Sequence, residues 1–167
     1  MITRENTCCF SGHRPTKLPW IQNEDDEKCI ALKAEMASRL NGFYASGYRV
    51  FMCGMAIGCD TYFAEEVLKL RKKHDDVRLI AVVPCADQDV HWTKPQRARY
   101  RNLLDECDDI RVLRETYSPD CMMKRNTYMV DRSSLLYACY SGKPGGTMKT
   151  ILYATRQEIP IVITNIE

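Results

Sequence analysis

The stretch Ser134–Thr150, SLLYACYSGKPGGTMKT, joins a short apolar run to a loop with three glycines and a proline, and then to the start of a helical pattern. The run from Leu135 to Tyr140 carries no charge, as expected of a strand covered on both faces. Strands of that kind belong to parallel sheets, where each is followed by a crossover helix. A strand, a glycine loop and a helix in succession therefore predict an α/β protein rather than an all-β or an all-helical one.

The same alternation extends outward in both directions. Strand-like runs are read at Thr7–Ser11, Tyr48–Cys53, Val77–Val83, Asp109–Leu113 and Ile159–Thr164. Helical periods lie between them: one from Glu24, with Ile30, Lys33, Ala37, Leu40 and Tyr44 on its face and Cys29, Met36 and Phe43 alongside; then Thr61–Lys73, Lys94–Cys107, residues 121 to 132, and Thr147–Gln157. Gly47 is read as the stop of the first helix. Six strands alternating with five helices predict a Rossmann-like three-layer fold, its sheet mostly parallel, formed as one domain over residues 1–167. Ligands of such folds sit outside the carboxyl ends of the strands.

Composition narrows the partners. The formal net charge of +2 speaks against nucleic acid as a partner. Apolar runs such as Leu79–Val83 are far too short to cross a bilayer, and MITRENTCCF lacks the apolar core of a secretory signal, so a cytoplasmic protein is expected. Nine cysteines without a CxxC pair read as small buried thiols in a reducing compartment. A site drawn from Cys53, Cys59, Cys85 and His91 is the weaker alternative, and no metal or cofactor is called for.

Three loops follow predicted strands. In SGHRP, Gly12 turns the chain and Pro15 stiffens it, so that His13 and Arg14 project above the sheet edge. The Arg14 guanidinium suits phosphate or carboxylate, or simply a solvated turn. In GMAIGCD, Gly54 and Gly58 allow backbone N–H groups close to an anion. Asp60 is read either as the cap of the next helix or as a hydrogen-bond partner of a ribose or base. In SGKPGGT, Gly142, Gly145 and Gly146 can wrap an anion, Lys143 adds charge, and Thr147 offers a hydroxyl at a positive helix end. Upstream, Lys124, Arg125, Asn126 and Asp131 lie on a helix that either contacts ligand or is partly exposed. Trp92 either stacks on a base or covers the core, and Lys94, Arg97 and Arg101 either meet phosphates or face solvent.

SGHRP, GMAIGCD, VVPC…HW and MKRNTYMVDRSSLLYACYSGKPGGT occur in one order along nearly the whole chain. Together they resemble the YpsA/YoqJ-like family of the SLOG superfamily, which also holds the LOG phosphoribohydrolases and the DNA-processing protein DprA. The resemblance implies a nucleotide-like ligand touching Gly12, Arg14, Gly54, Gly58, Asp60, Gly145, Gly146 and Thr147, and it suggests a homodimer. LOG enzymes carry a PGGxGTxxE-type motif whose Glu takes part in N-glycosidic hydrolysis. In this chain no carboxylate follows Thr147 until Glu158. Binding or sensing of a nucleotide is therefore the expected function. A hydrolase using Asp60, Asp131, Glu65 or His13 as acid or base, and single-stranded nucleic acid binding, are the alternatives.

Overall fold

The computed structural model describes all residues, Met1–Glu167. Its elements are β1 (Thr7–Gly12), a 3₁₀ turn (Pro15–Lys17), α1 (Glu27–Ala45), β2 (Val50–Cys53), α2 (Cys59–Lys73), β3 (Arg78–Val83), α3 (Lys94–Glu106), β4 (Asp109–Val112), α4 (Cys121–Asp131), β5 (Leu135–Tyr140), α5 (Gly146–Arg156) and β6 (Ile161–Asn165). The six strands form one sheet in the order β4-β3-β2-β1-β5-β6. Every pairing is parallel, so the mostly parallel sheet read from sequence is wholly parallel.

Side-chain alternation explains the three layers. Along β1, Cys8 and Phe10 face one side while Cys9 faces the other, and β2, β3 and β5 repeat this. Phe51, Leu79, Ala81 and Tyr137 join the larger core, shared with α1, α2 and α3. Met52, Ile80, Val82 and Leu136 join the smaller one with α4 and α5. Both faces of these strands are dry, which is why their sequences run apolar without a polar beat. All nine cysteines are unpaired and eight are buried. No helix is long and apolar enough to cross a membrane.

Two helix starts differ from the sequence reading by two residues or more. α1 begins at Glu27 because the Asp26 carboxylate accepts the Lys28 N–H at 2.8 Å and fixes the cap there. Glu24 stays outside the helix, bonded to Lys33 and Arg99. The buried face is Cys29, Leu32, Met36, Leu40 and Phe43, and Ile30 points outward. α2 begins two residues early, at Cys59, with Gly58 as its cap. Asp60 is therefore inside the first turn and is not the cap.

The sheet order has one functional consequence. From β1 the chain moves outward through β2, β3 and β4, then returns across the sheet to β5, on the other side of β1. The loops after β1 and β5 thus diverge, leaving a crevice at the carboxyl edge where they part.

Candidate functional site

A cleft of about 190 Å³ occupies that crevice. It is lined by Gly12, His13 and Arg14 from the loop after β1, Asp60 from α2, Arg125 and Asn126 from α4, and Gly146 and Thr147 from α5. Eight sequence-predicted positions are thus brought together from four separate parts of the chain.

Arg125 is the most unusual of them. Its side chain is buried, 5% exposed, with Nη1 donating to the Gly54 carbonyl at 2.7 Å and Nε to Asn126 Oδ1 at 2.8 Å. Gly54 lies behind the guanidinium rather than in the cleft. A Cβ there would stand 2.1 Å from Arg125 Nη1, so the missing side chain is what lets the guanidinium lie flat. Neither Arg125 nor Arg14, Lys17 or Lys143 has a carboxylate within ion-pairing distance, whereas Arg49, Arg71, Arg99 and Arg111 all do. Burial draws the Arg125 pKa down, and the nearby Asp60 charge works against that. Burial likewise pushes Asp60 above the usual carboxylate range, with Arg125 pulling it back. Asp60 Oδ2 accepts the Ala56 N–H at 3.0 Å.

His13 bridges the two diverging loops. Its Nε2 accepts the Ser141 backbone N–H at 3.1 Å, with the Ser141 hydroxyl 2.9 Å away. An N–H aimed at Nε2 requires that nitrogen to be unprotonated, so the ring is neutral with its proton on Nδ1. Burial, followed by the charges of Lys17 and Lys143, lowers its pKa in agreement. His13 is held as a structural acceptor and is not free to relay a proton through Nε2.

The first turn of α5 closes the cleft. Gly145 provides no side-chain cap, and Lys149 is the first residue whose N–H finds a carbonyl, that of Gly145 at 3.1 Å. The N–H groups of Gly146, Thr147 and Met148 remain unspent, beside the Thr147 hydroxyl. Lys17, which the sequence reading missed, donates to the Pro144 carbonyl at 2.6 Å and lines the cleft with Thr16. The signal for Lys17 was present in GHRPTK, three residues after Arg14, but no periodic element frames it.

Other positions lie elsewhere. Gly58, with φ of +91°, packs under the first loop, where a Cβ would meet the His13 carbonyl at 2.8 Å. The first N–H of α2, on Cys59, donates to that same oxygen at 3.1 Å, so one N–H of this helix end is spent on protein. Gly142 and Gly145 shape their loop without lining the cleft. Asp131 is exposed at the far end of α4, bonded to the Tyr153 hydroxyl at 2.6 Å. Glu65 is held by Arg99. Glu158 follows the opposite end of α5, about 16 Å along the axis from Gly146. Asp60 is left as the one carboxylate of the cleft. Arg97 and Arg101 both pair with the buried Asp89, and Trp92 packs edge-on against Tyr100. Cys53, Cys59, Cys85 and His91 do not come together as a metal-holding group.

A wholly parallel sheet with a cationic cleft at its reversal point defines a Rossmann-like protein. The chain belongs to the YpsA family of SLOG proteins: the model described as the YspA SLOG family matches residues 8–161. Among its relatives is the SPbeta prophage-derived protein YoqJ of Bacillus subtilis, 31% identical over 78% of this chain and 80% of that protein. The UPF0398 protein YpsA of the same organism is 24% identical over 86% of this chain and 80% of its own length. DNA processing protein A of Helicobacter pylori, described by its single-stranded DNA binding mode, superposes with a TM-score of 0.63 at 15% identity, over 94% of this chain. Its counterpart from Streptococcus pneumoniae gives 0.62 at 14% identity, also over 94%. This chain spans 64% and 49% of those two proteins, and the likeness shows the fold alone. The expectation against nucleic acid draws no support from it.

Proposed function

We propose that the cleft binds the phosphate of a nucleotide or nucleotide-derived ligand and holds it without cleaving it. The observation that carries this reading is the buried Arg125, aimed into the cleft without a carboxylate partner. The Asp60 charge offsets the burial of this guanidinium only from beyond ion-pairing distance, and an arriving anion adds a direct partner. Arg14, Lys17 and the open N–H groups of α5 surround the same space, so a phosphate there would meet charge and directional donors together.

The volume bears on the rest of the ligand. About 190 Å³ falls below the roughly 300 to 1,000 Å³ of sites for drug-sized molecules. It suits a phosphate with its adjoining ribose, the base lying toward the mouth. Asp60 is positioned to accept from a sugar hydroxyl. A single carboxylate, already bonded to Ala56, is a poor acid–base pair for hydrolysis, which favours a sensor over a hydrolase. A sensor acts through the difference in affinity between its states.

Titration calorimetry of nucleoside 5′-phosphates beside the same nucleosides without phosphate tests the reading. Binding is expected only with the phosphate, and chromatography after prolonged incubation should recover the ligand intact. Equal binding of the unphosphorylated nucleosides would overturn the phosphate assignment. Release of free base that disappears in Asp60→Asn would replace the sensor with a hydrolase. Tight, salt-sensitive binding of an oligonucleotide with none of the mononucleotides would favour the strand-binding role described for the Helicobacter pylori protein.

A further inference from the structure

Met122 lies in the first turn of α4, half-buried, and joins neither hydrophobic core, whereas Met129 on the same helix is a core residue. Its side chain lines the cleft instead. The sulfur accepts from Arg14 Nη2 at 3.5 Å and from Arg125 Nη2 at 3.9 Å. Arg125 reaches it from the next turn of α4, and Arg14 from the loop after β1, 108 positions away in sequence. The sulfur is the only acceptor bonded to the Arg14 side chain, and the only one bonded to Arg125 Nη2.

Two like charges thus converge on one neutral atom. Burial first, and the Arg14 charge after it, draw the Arg125 pKa down. A thioether is a weak acceptor and leaves that repulsion in place. A phosphate oxygen at the same point would accept from both guanidiniums with its own charge, in shorter and stronger bonds. The sulfur therefore marks where one anion meets both arginines. Methionine is unbranched, with three rotatable bonds. Outside both cores, this one can turn away without opening a cavity in either.

We propose that Met122 is the gate of the phosphate subsite: its sulfur holds the place of a phosphate oxygen between Arg14 and Arg125, and the side chain swings out as the anion enters. Such a gate presupposes the phosphate site proposed above, and adds to it a competitor that every ligand must displace. Affinity is set below what the two arginines would give alone. The swing also supplies the two states that a sensor requires, sulfur in and sulfur out.

Methyl NMR of methionine-labelled protein tests this, the Met122 signal being the one absent from Met122→Leu. Titration with nucleoside 5′-phosphates, and with inorganic phosphate alone, should shift that signal in step with binding. Met122→Ala, at a half-buried position outside both cores, should stay folded and bind the same probes about fivefold more tightly than the wild type. Met122→Leu, which keeps the bulk and loses the acceptor, should fall between them. Binding that leaves the Met122 signal in place, or a Met122→Ala variant no tighter than the wild type, overturns the gate and leaves the phosphate site standing. Absence of binding to the wild type and to Met122→Ala alike overturns the phosphate site, and the gate falls with it.

Discussion

At the scale of single residues, the cleft depends on a contact between a side chain and the absence of one. Arg125 reaches the cleft because Gly54, 71 positions away in sequence, presents only a carbonyl beneath it. Gly54→Ala would place a methyl group where Nη1 now lies. The guanidinium must then swing or the backbone must shift, at a cost of about 1 to 3 kcal/mol. The expected outcome is a folded protein, with a lower urea midpoint, whose affinity for a nucleoside 5′-phosphate drops at least tenfold in calorimetry. Unchanged affinity would mean that Arg125 does not contact the ligand. The sequence named both residues but not their relation. It assigned Gly54 to the ligand because a glycine after a strand looks the same whether an anion or an arginine approaches it.

Among the elements, the first turns of α2 and α5 look alike in sequence and differ in the fold. Both follow a glycine after a strand, yet the first N–H of α2 is taken by the His13 carbonyl while the first turn of α5 keeps its N–H groups open. Nothing local distinguishes them, since the occupant of α2 comes from a loop more than forty residues upstream. The strands were readable because burial on both faces leaves an apolar run of its own. The buried face of α1 centres on Cys29, Met36, Leu40 and Phe43, all within the face read from sequence, while Ile30, apolar and in register, lies outward. Lys17 escaped notice because its partner, Pro144, is 127 positions distant.

His13 gives this scale its own test, since it ties the β1 loop to the β5 loop. Its folded-state pKa lies below the ordinary value of 6.5. Between those two values the unfolded chain binds more protons, so this contribution to stability is complete above pH 6.5 and is lost as pH falls through the window. Asp60, whose pKa is raised, acts in the opposite direction, so a comparison with a His13 variant isolates the histidine. Urea midpoints at pH 5.5 and 7.5 should fall further on the acid side in the wild type than in His13→Gln, which can still accept from Ser141. An equal acid-side loss in both would mean that His13 does not carry it.

For the whole molecule, the sheet order decides where chemistry can happen. The return from β4 to β5 sets two loops more than a hundred residues apart across one crevice, and the cleft is built from what they and the flanking helices bring. The α/β class followed from the alternation of runs, and the carboxyl edge from that class. Which loops would meet followed only from the order β4-β3-β2-β1-β5-β6, which depends on long-range pairing and leaves no local mark.

The proposed function stands on Arg125 as the group that meets the anion. Thermal unfolding of the wild type and Arg125→Met, each with and without a panel of nucleoside 5′-phosphates, tests it most directly. Arg125→Met removes the donors bonded to the Gly54 carbonyl and Asn126, so its ligand-free midpoint should fall by roughly 2 to 4 °C. A ligand at 100 times its dissociation constant should raise the wild-type midpoint by roughly 5 to 11 °C and leave the variant unmoved. A variant that shifts with ligand as far as the wild type would contradict the account, because the anion would then bind elsewhere.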